Sequence, residues 1–247
     1  MKPWTLIDSA PIPGGGELHL FQHVREFSIR VGRGELMNSG AFGSEKALAE
    51  LGFDRLGERA ATRVLVGGLG MGFTTGAALR RLPADGRITV AELIPAVVAW
   101  NRGPLGPLAD RPLDDARVAV HVGDVAELMR ASVDAFDLIL LDVDNGPNGM
   151  VTTANNWLYG VEGLGTAYRA LRPGGVLEVW SAVKDEPFTQ RLRRLGFLTE
   201  LVEVRAHGSR GRRQWIWLAI RATRAQRDAE EKRRVMRRQS RLSARRR

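Results

Sequence analysis

Carboxylates and glycines at the ends of apolar runs are the residues of this chain best placed to do chemistry. Arg63 to Gly72, RVLVGGLGMG, is an apolar run that breaks into glycines, with the apolar-periodic segment Phe73 to Leu82 behind it. A buried strand, a tight glycine turn and a helix N-terminus make a cradle for a nucleotide-like ligand, because backbone without Cβ atoms lets a ligand approach closely. Gly67, Gly68, Gly70 and Gly72 are the cofactor-binding candidates. Their G-x-G-x-G spacing is not the dinucleotide pattern, since Phe73 and Thr75 stand where a further glycine is needed, and no Gly-Lys-Ser/Thr follows to make a phosphate loop. It is closer to sites for S-adenosylmethionine.

Three further run ends carry acids. Glu92 lies 22 positions past Gly70, where a carboxylate can accept bonds from both ribose hydroxyls; it could equally complement the dipole of the helix that follows. Asp124, with Val125 beside it, could take the exocyclic amine of adenine, and could cap the next helix at the same time. Asp142 opens the loop Asp142-Val143-Asp144-Asn145-Gly146-Pro147. A carboxylate there can bind a cationic amine, orient it and take its proton as it attacks an electrophilic carbon; the other reading is a polar turn built on Asn145-Gly146. Asp142 is the candidate catalytic residue. Asp144, Asn145, Trp157 and Tyr159 are candidate substrate contacts, the two aromatics being equally able to serve as core. The four histidines show no metal-ligand spacing, and no metal is expected.

The elements that must hold these groups alternate. Strands are expected at 64–66, 87–91, 118–122, 136–141 and 176–180, with helices at 73–82, 94–101, 125–131, 163–171 and 187–195, the Pro173-Gly174-Gly175 stretch stopping the fourth. Such alternation implies a parallel sheet with helices on both faces, and its C-terminal rim is where ligands bind. A closing antiparallel pair is expected at 198–205 and 214–220. Before the alternation, 17–22, 26–31 and 35–38 read as short strands, and Ser44 as the cap of a helix reaching Leu56. Residues 1–16, rich in Pro and Gly, read as a loose leader. The expected organisation is a small β unit with a connecting helix (1–57), a Rossmann-like nucleoside-binding domain (58–220) and a basic tail (221–247).

Composition narrows the classes. The formal charge of +9 belongs to the tail, where residues 221–247 hold 12 Lys/Arg against 3 Asp/Glu, leaving 25 of each sign in 1–220. A basic nucleic-acid face across the domain is therefore not expected; any such contact would be weak and through the tail. No apolar run of about 18 residues offers a membrane span, and no signal peptide is read at the N-terminus. With no cysteine, disulfides and thiolate chemistry are excluded, and a cytoplasmic setting is expected.

Taken together, VLVGGLGMG, TVAELIPAVVAWNR, VHVGDVAELM, FDLILLDVDNGP and LRPGGVLEVWSA resemble the successive motifs of the polyamine aminopropyltransferases, the spermidine synthases. The resemblance runs over about residues 17–220 and takes in Gln22 and ELMNS of the β unit. It implies a seven-stranded methyltransferase-like sheet, decarboxylated S-adenosylmethionine as co-substrate, a diamine such as putrescine as acceptor, and a homodimer. By it Gln22, Glu92 and Asp124 would hold the nucleoside and Asp142 would be the acid/base. Three positions depart from the family pattern. Gly70 stands for the Asp of GGGDGG, Asn145 for the second Asp of DSSDP, and Gly43-Ser44-Glu45 for YHE. The expected activity is aminopropyl transfer to an amine. The alternatives are methyl transfer from intact S-adenosylmethionine and a non-catalytic protein that binds through its tail.

Overall fold

The structure, a computed structural model, describes residues 3–143, 155–207, 210–229, 232 and 236. The N-terminal part is a four-stranded antiparallel sheet, β1 (Thr5–Pro11), β2 (Glu17–His23), β3 (Glu26–Val31) and β4 (Gly34–Asn38), paired in chain order. Here the expected leader is corrected. Residues 5–11 are an edge strand whose only buried residue is Ala10, so no alternating pattern marks it. The Pro and Gly residues after it make the hairpin turn, closed by Ile12 N–H donating to the Gly16 carbonyl.

Helix α1 (Gly43–Leu56) leads into a seven-stranded sheet. Its strands are β5 (Arg63–Gly67), β6 (Arg87–Glu92), β7 (Val118–Val122), β8 (Phe136–Leu141), β9 (Leu171–Ser181), β10 (Leu198–His207) and β11 (Arg210–Ile220). Their spatial order is β10-β11-β9-β8-β5-β6-β7; β5 to β9 are parallel, and β10 and β11 are antiparallel. The helices between them are α2 (Phe73–Arg81), α3 (Pro95–Arg102), α4 (Val125–Arg130), α5 (Asn155–Leu158), α6 (Val161–Ala170) and α7 (Glu186–Arg194).

Two starts differ from the expectation. The residue capping α1 is Phe42, with no side-chain bond, and Ser44 sits inside the first turn, donating to Glu45 Oε2 at 2.6 Å. Strand β9 begins at Leu171, directly after α6, so Pro173-Gly174-Gly175 lies in the strand rather than ending the helix. The glycines pair with Arg221, and the register slips opposite Phe136 and Leu138.

Strands buried on both faces read as continuous apolar runs, and each face receives alternate residues. Val64, Val66, Leu138 and Leu140 pack into a core shared with α1, α2, α3 and the N-terminal sheet. Leu65, Ile139, Leu141 and Trp217 pack into the opposite core with α4, α6 and α7. The chain turns one way from β5 to β6 and β7 and the other way to β8 and β9, so the strand order reverses between β5 and β8. Loops leaving those two tips part and leave a crevice between them. No helix among the described residues is long and apolar enough to cross a membrane.

Candidate active site

The crevice is built from the glycine loop outward. Gly68, Gly70 and Gly72 have φ of +85°, +52° and +83°. At Gly68 glycine is required twice over, because a Cβ would also stand 2.5 Å from the Asp142 carbonyl oxygen. That closeness comes from the tips being tied together. Asp142 N–H donates to the Gly67 carbonyl at 2.9 Å, and Gly68 N–H donates to the Ala91 carbonyl at 3.0 Å. Asn101, buried on α3, donates its amide to the Gly70 carbonyl at 2.8 Å and pins the outer loop.

Glu92 ends β6 with its side chain under the loop. Oε2 accepts from Leu69 N–H and Oε1 from Ile94 N–H, both at 2.9 Å. The N–H groups of Gly70 and Leu93 also face this carboxylate, so it sits in a ring of backbone donors at the edge of the crevice. Burial pushes the Glu92 carboxyl up from its ordinary range, and the backbone donors hold it back. Asp124 follows β7 and caps α4, Oδ1 accepting from Ala126 N–H at 2.8 Å. The helix-cap reading of Asp124 thus holds, and it is compatible with a ligand contact.

Glu92, Asp124, Val125, Gly68, Gly70 and Asp142 come together around one cavity of about 170 Å³, roofed by Leu18, Ile29 and Met37 of the N-terminal sheet and by Ile12 of its first turn. An apolar roof over polar strand tips suits a flat heteroaromatic base joined to a sugar. Gly67 lies just beneath, where a Cβ would stand 2.8 Å from a Leu141 methyl, so its glycine serves packing.

A second cavity of about 370 Å³ shares Leu36, Met37, Gly70 and Asp142 with the first. Its polar walls include Glu45, Thr74 and Arg212. Asp142 stands where the two lobes meet. Its Oδ2 accepts from the Thr74 hydroxyl at 2.8 Å, and burial raises its carboxyl to about 6. Glu45, in the first turn of α1, is raised to about 7, by burial first and then by the charge of Asp142. The sequence reading did not select Glu45 as a site residue. Its only signal was its place in the tripeptide that departs from YHE, and its partner lies far along the chain.

Other expected residues sit elsewhere. Gln22, on β2, donates its amide to the Val24 carbonyl at 3.0 Å and lines neither cavity. Trp157 lines neither cavity; its indole donates to Glu162 at 3.0 Å and its ring faces the Arg130 guanidinium at 3.9 Å. Tyr159 is buried against Phe188, and its hydroxyl donates to the Val143 carbonyl at 3.0 Å. It braces the residue after Asp142 and does not wall the crevice. Asp144 and Asn145 lie outside the described residues. Among the described residues, no group of three or more His, Asp or Glu is placed to hold a metal ion.

No family model matches the chain. A polyamine aminopropyltransferase of Ruegeria sp. (strain TM1040) is 30% identical over 137 residues, which is 55% of this chain and 44% of that protein, so the match spans less than half of the relative. A crystal structure of spermidine synthase in complex with the transition state analogue AdoDATO superposes with a TM-score of 0.68, at 18% identity, over 88% of this chain and 72% of that one. Spermidine synthase from Thermotoga maritima also gives 0.68, at 19% identity, over 88% and 73% of the two chains. At these identities the structural likeness is one of fold. Over part of its length the chain is similar in sequence to a polyamine aminopropyltransferase, and over most of it the fold is that of the two spermidine synthase structures.

Proposed function

We propose that this protein transfers an aminopropyl group from decarboxylated S-adenosylmethionine to a primary amine. The observation that carries this reading is the meeting of the two lobes at Asp142. A nucleoside held at Glu92 and Asp124 would direct its 5′ sulfonium toward Gly70 and Asp142, and an amine in the second lobe would approach from the other side. The positive sulfur makes the neighbouring propyl carbon electrophilic and leaves as a neutral thioether. What the protein supplies is alignment of amine, carbon and sulfur, and removal of one proton from the attacking amine. Asp142, raised to about 6, is mostly ionised at pH 7 and able to take that proton.

The activity test is incubation with decarboxylated S-adenosylmethionine and 1,4-diaminobutane, with mass detection of methylthioadenosine and the extended amine. Formation of both supports the reading, and absence of both with every primary amine offered overturns it. One observation favours a second reading, methyl transfer from intact S-adenosylmethionine. Gly70 adds no carboxylate of its own to the loop, so this position sets no repelling charge against the carboxylate of the intact cofactor. Calorimetry with both cofactors separates the two, since tighter binding of the decarboxylated form favours aminopropyl transfer.

A further inference from the structure

The second lobe contains two carboxylates that the fold brings together from opposite ends of the site. Asp142 comes from the tip of β8 and Glu45 from the first turn of α1, and both line the same cavity. Thr74, at the start of α2, joins them. Its hydroxyl lies 2.8 Å from Asp142 Oδ2 and 3.4 Å from the Glu45 backbone carbonyl. We infer that Glu45 is the second carboxylate of the acceptor-binding site and, with Asp142, holds the ammonium group of the incoming amine. The inference rests on the aminopropyltransferase reading of the cleft and adds to it the residue that recognises the acceptor.

The physical argument is charge balance in a closed space. Two carboxylates that repel each other at short range do not both stay ionised without a cation, and they keep a proton instead. Glu45, raised to about 7, carries the mark of that repulsion on top of burial, while Asp142 is raised to about 6 by burial. The other charged groups in the lobe do not relieve it. Glu35 is a further anion, with its oxygens already accepting from the Ser28 hydroxyl and the Asn38 amide, both at 2.7 Å. Lys46, next in α1, directs its ammonium over the Phe42 ring at 5.7 Å. Arg212, on β11, lines the same lobe but is exposed, where water screens its charge. Ser44 donates to Glu45 Oε2, which orients the carboxylate without neutralising it. An alkylammonium entering the lobe supplies the missing positive charge, and the retained proton goes to solvent.

The test is titration of the protein, saturated with methylthioadenosine, by 1,4-diaminobutane in buffers of different ionisation enthalpy. At pH 6.5 the wild type is expected to release a large fraction of one proton per amine bound, and at pH 8.5 nearly none. Glu45→Gln is expected to lose most of the pH 6.5 release and to raise KM for the amine by about tenfold or more, with affinity for methylthioadenosine unchanged. Glu45→Asp is expected to restore part of the release. If Glu45→Gln binds the amine and releases protons as the wild type does, the inference is overturned and the transferase reading stands. If the wild type binds methylthioadenosine but neither binds nor consumes any amine, both are overturned.

Discussion

The two lobes of the cleft use carboxylates in opposite ways. Around the smaller lobe, Glu92 and Asp124 are anchored by backbone N–H groups of the loops beside them. Around the larger one, Asp142 accepts from the Thr74 hydroxyl, and Glu45 accepts from the Ser44 hydroxyl and from its own backbone N–H. A backbone donor fixes an acid in place and favours its charged form; two facing acids with hydroxyl donors keep lone pairs and a proton in play. The lesson is that the first pair positions a ligand and the second pair exchanges charge with one.

Substitutions can break that contrast in order of size. Asp142→Asn keeps the Thr74 contact but cannot accept a proton, and kcat for transfer should fall by about 10³-fold while methylthioadenosine affinity stays within about threefold. Calorimetry and a product assay on the same preparation check it; parallel losses in both would put Asp142 in the nucleoside site. Glu92→Gln should do the reverse, weakening methylthioadenosine by about 30-fold, or about 2 kcal/mol, and leaving the amine's KM alone. The pH profile sharpens the contrast further. Asp142 and Glu45 are raised to about 6 and 7, so their base forms are gained as pH rises. Turnover at saturating nucleoside should therefore climb between pH 5.5 and 7.5.

Glu178 supplies a control for the meaning of a raised carboxyl. It is fully buried on β9, both oxygens lack a partner among the described residues, and burial holds it well above the carboxylate range, yet it lines neither lobe. The folded state binds this proton more tightly than the unfolded chain, so the group's contribution to stability falls as pH rises above its ordinary value near 4.5. Glu178→Leu should raise stability by about 1 kcal/mol at pH 8 and by less at pH 5, measured by urea unfolding, with activity unchanged. The smallest effect expected is from Tyr159→Phe. It removes one bond to the Val143 carbonyl and should slow turnover a few-fold through looser placement of Asp142, with no change in nucleoside binding.

Most of the smaller lobe was legible in the sequence because each of its parts is local. Glycines after a strand, an acid at a strand end and an acid capping the next helix are readable within a few residues. The parallel sheet was legible for the same reason, through its alternation of runs. The features missed depend on distant partners or on weak patterns. Strand β1 buries only Ala10, so it shows no period, and the Pro and Gly residues that looked like breakers build its turn. Glu45 gains its meaning only when α1 delivers it beside Asp142. Trp157 and Tyr159 have the composition of pocket walls, but one faces Arg130 and the other fills a core.

The most direct test is a crystal structure with methylthioadenosine bound. The account predicts ribose hydroxyls on the Glu92 carboxylate, adenine beneath the N-terminal sheet near Asp124, and sulfur directed at the junction where Asp142 stands. A nucleoside bound elsewhere, or one whose sulfur turns away from Asp142 toward closed protein, would contradict it.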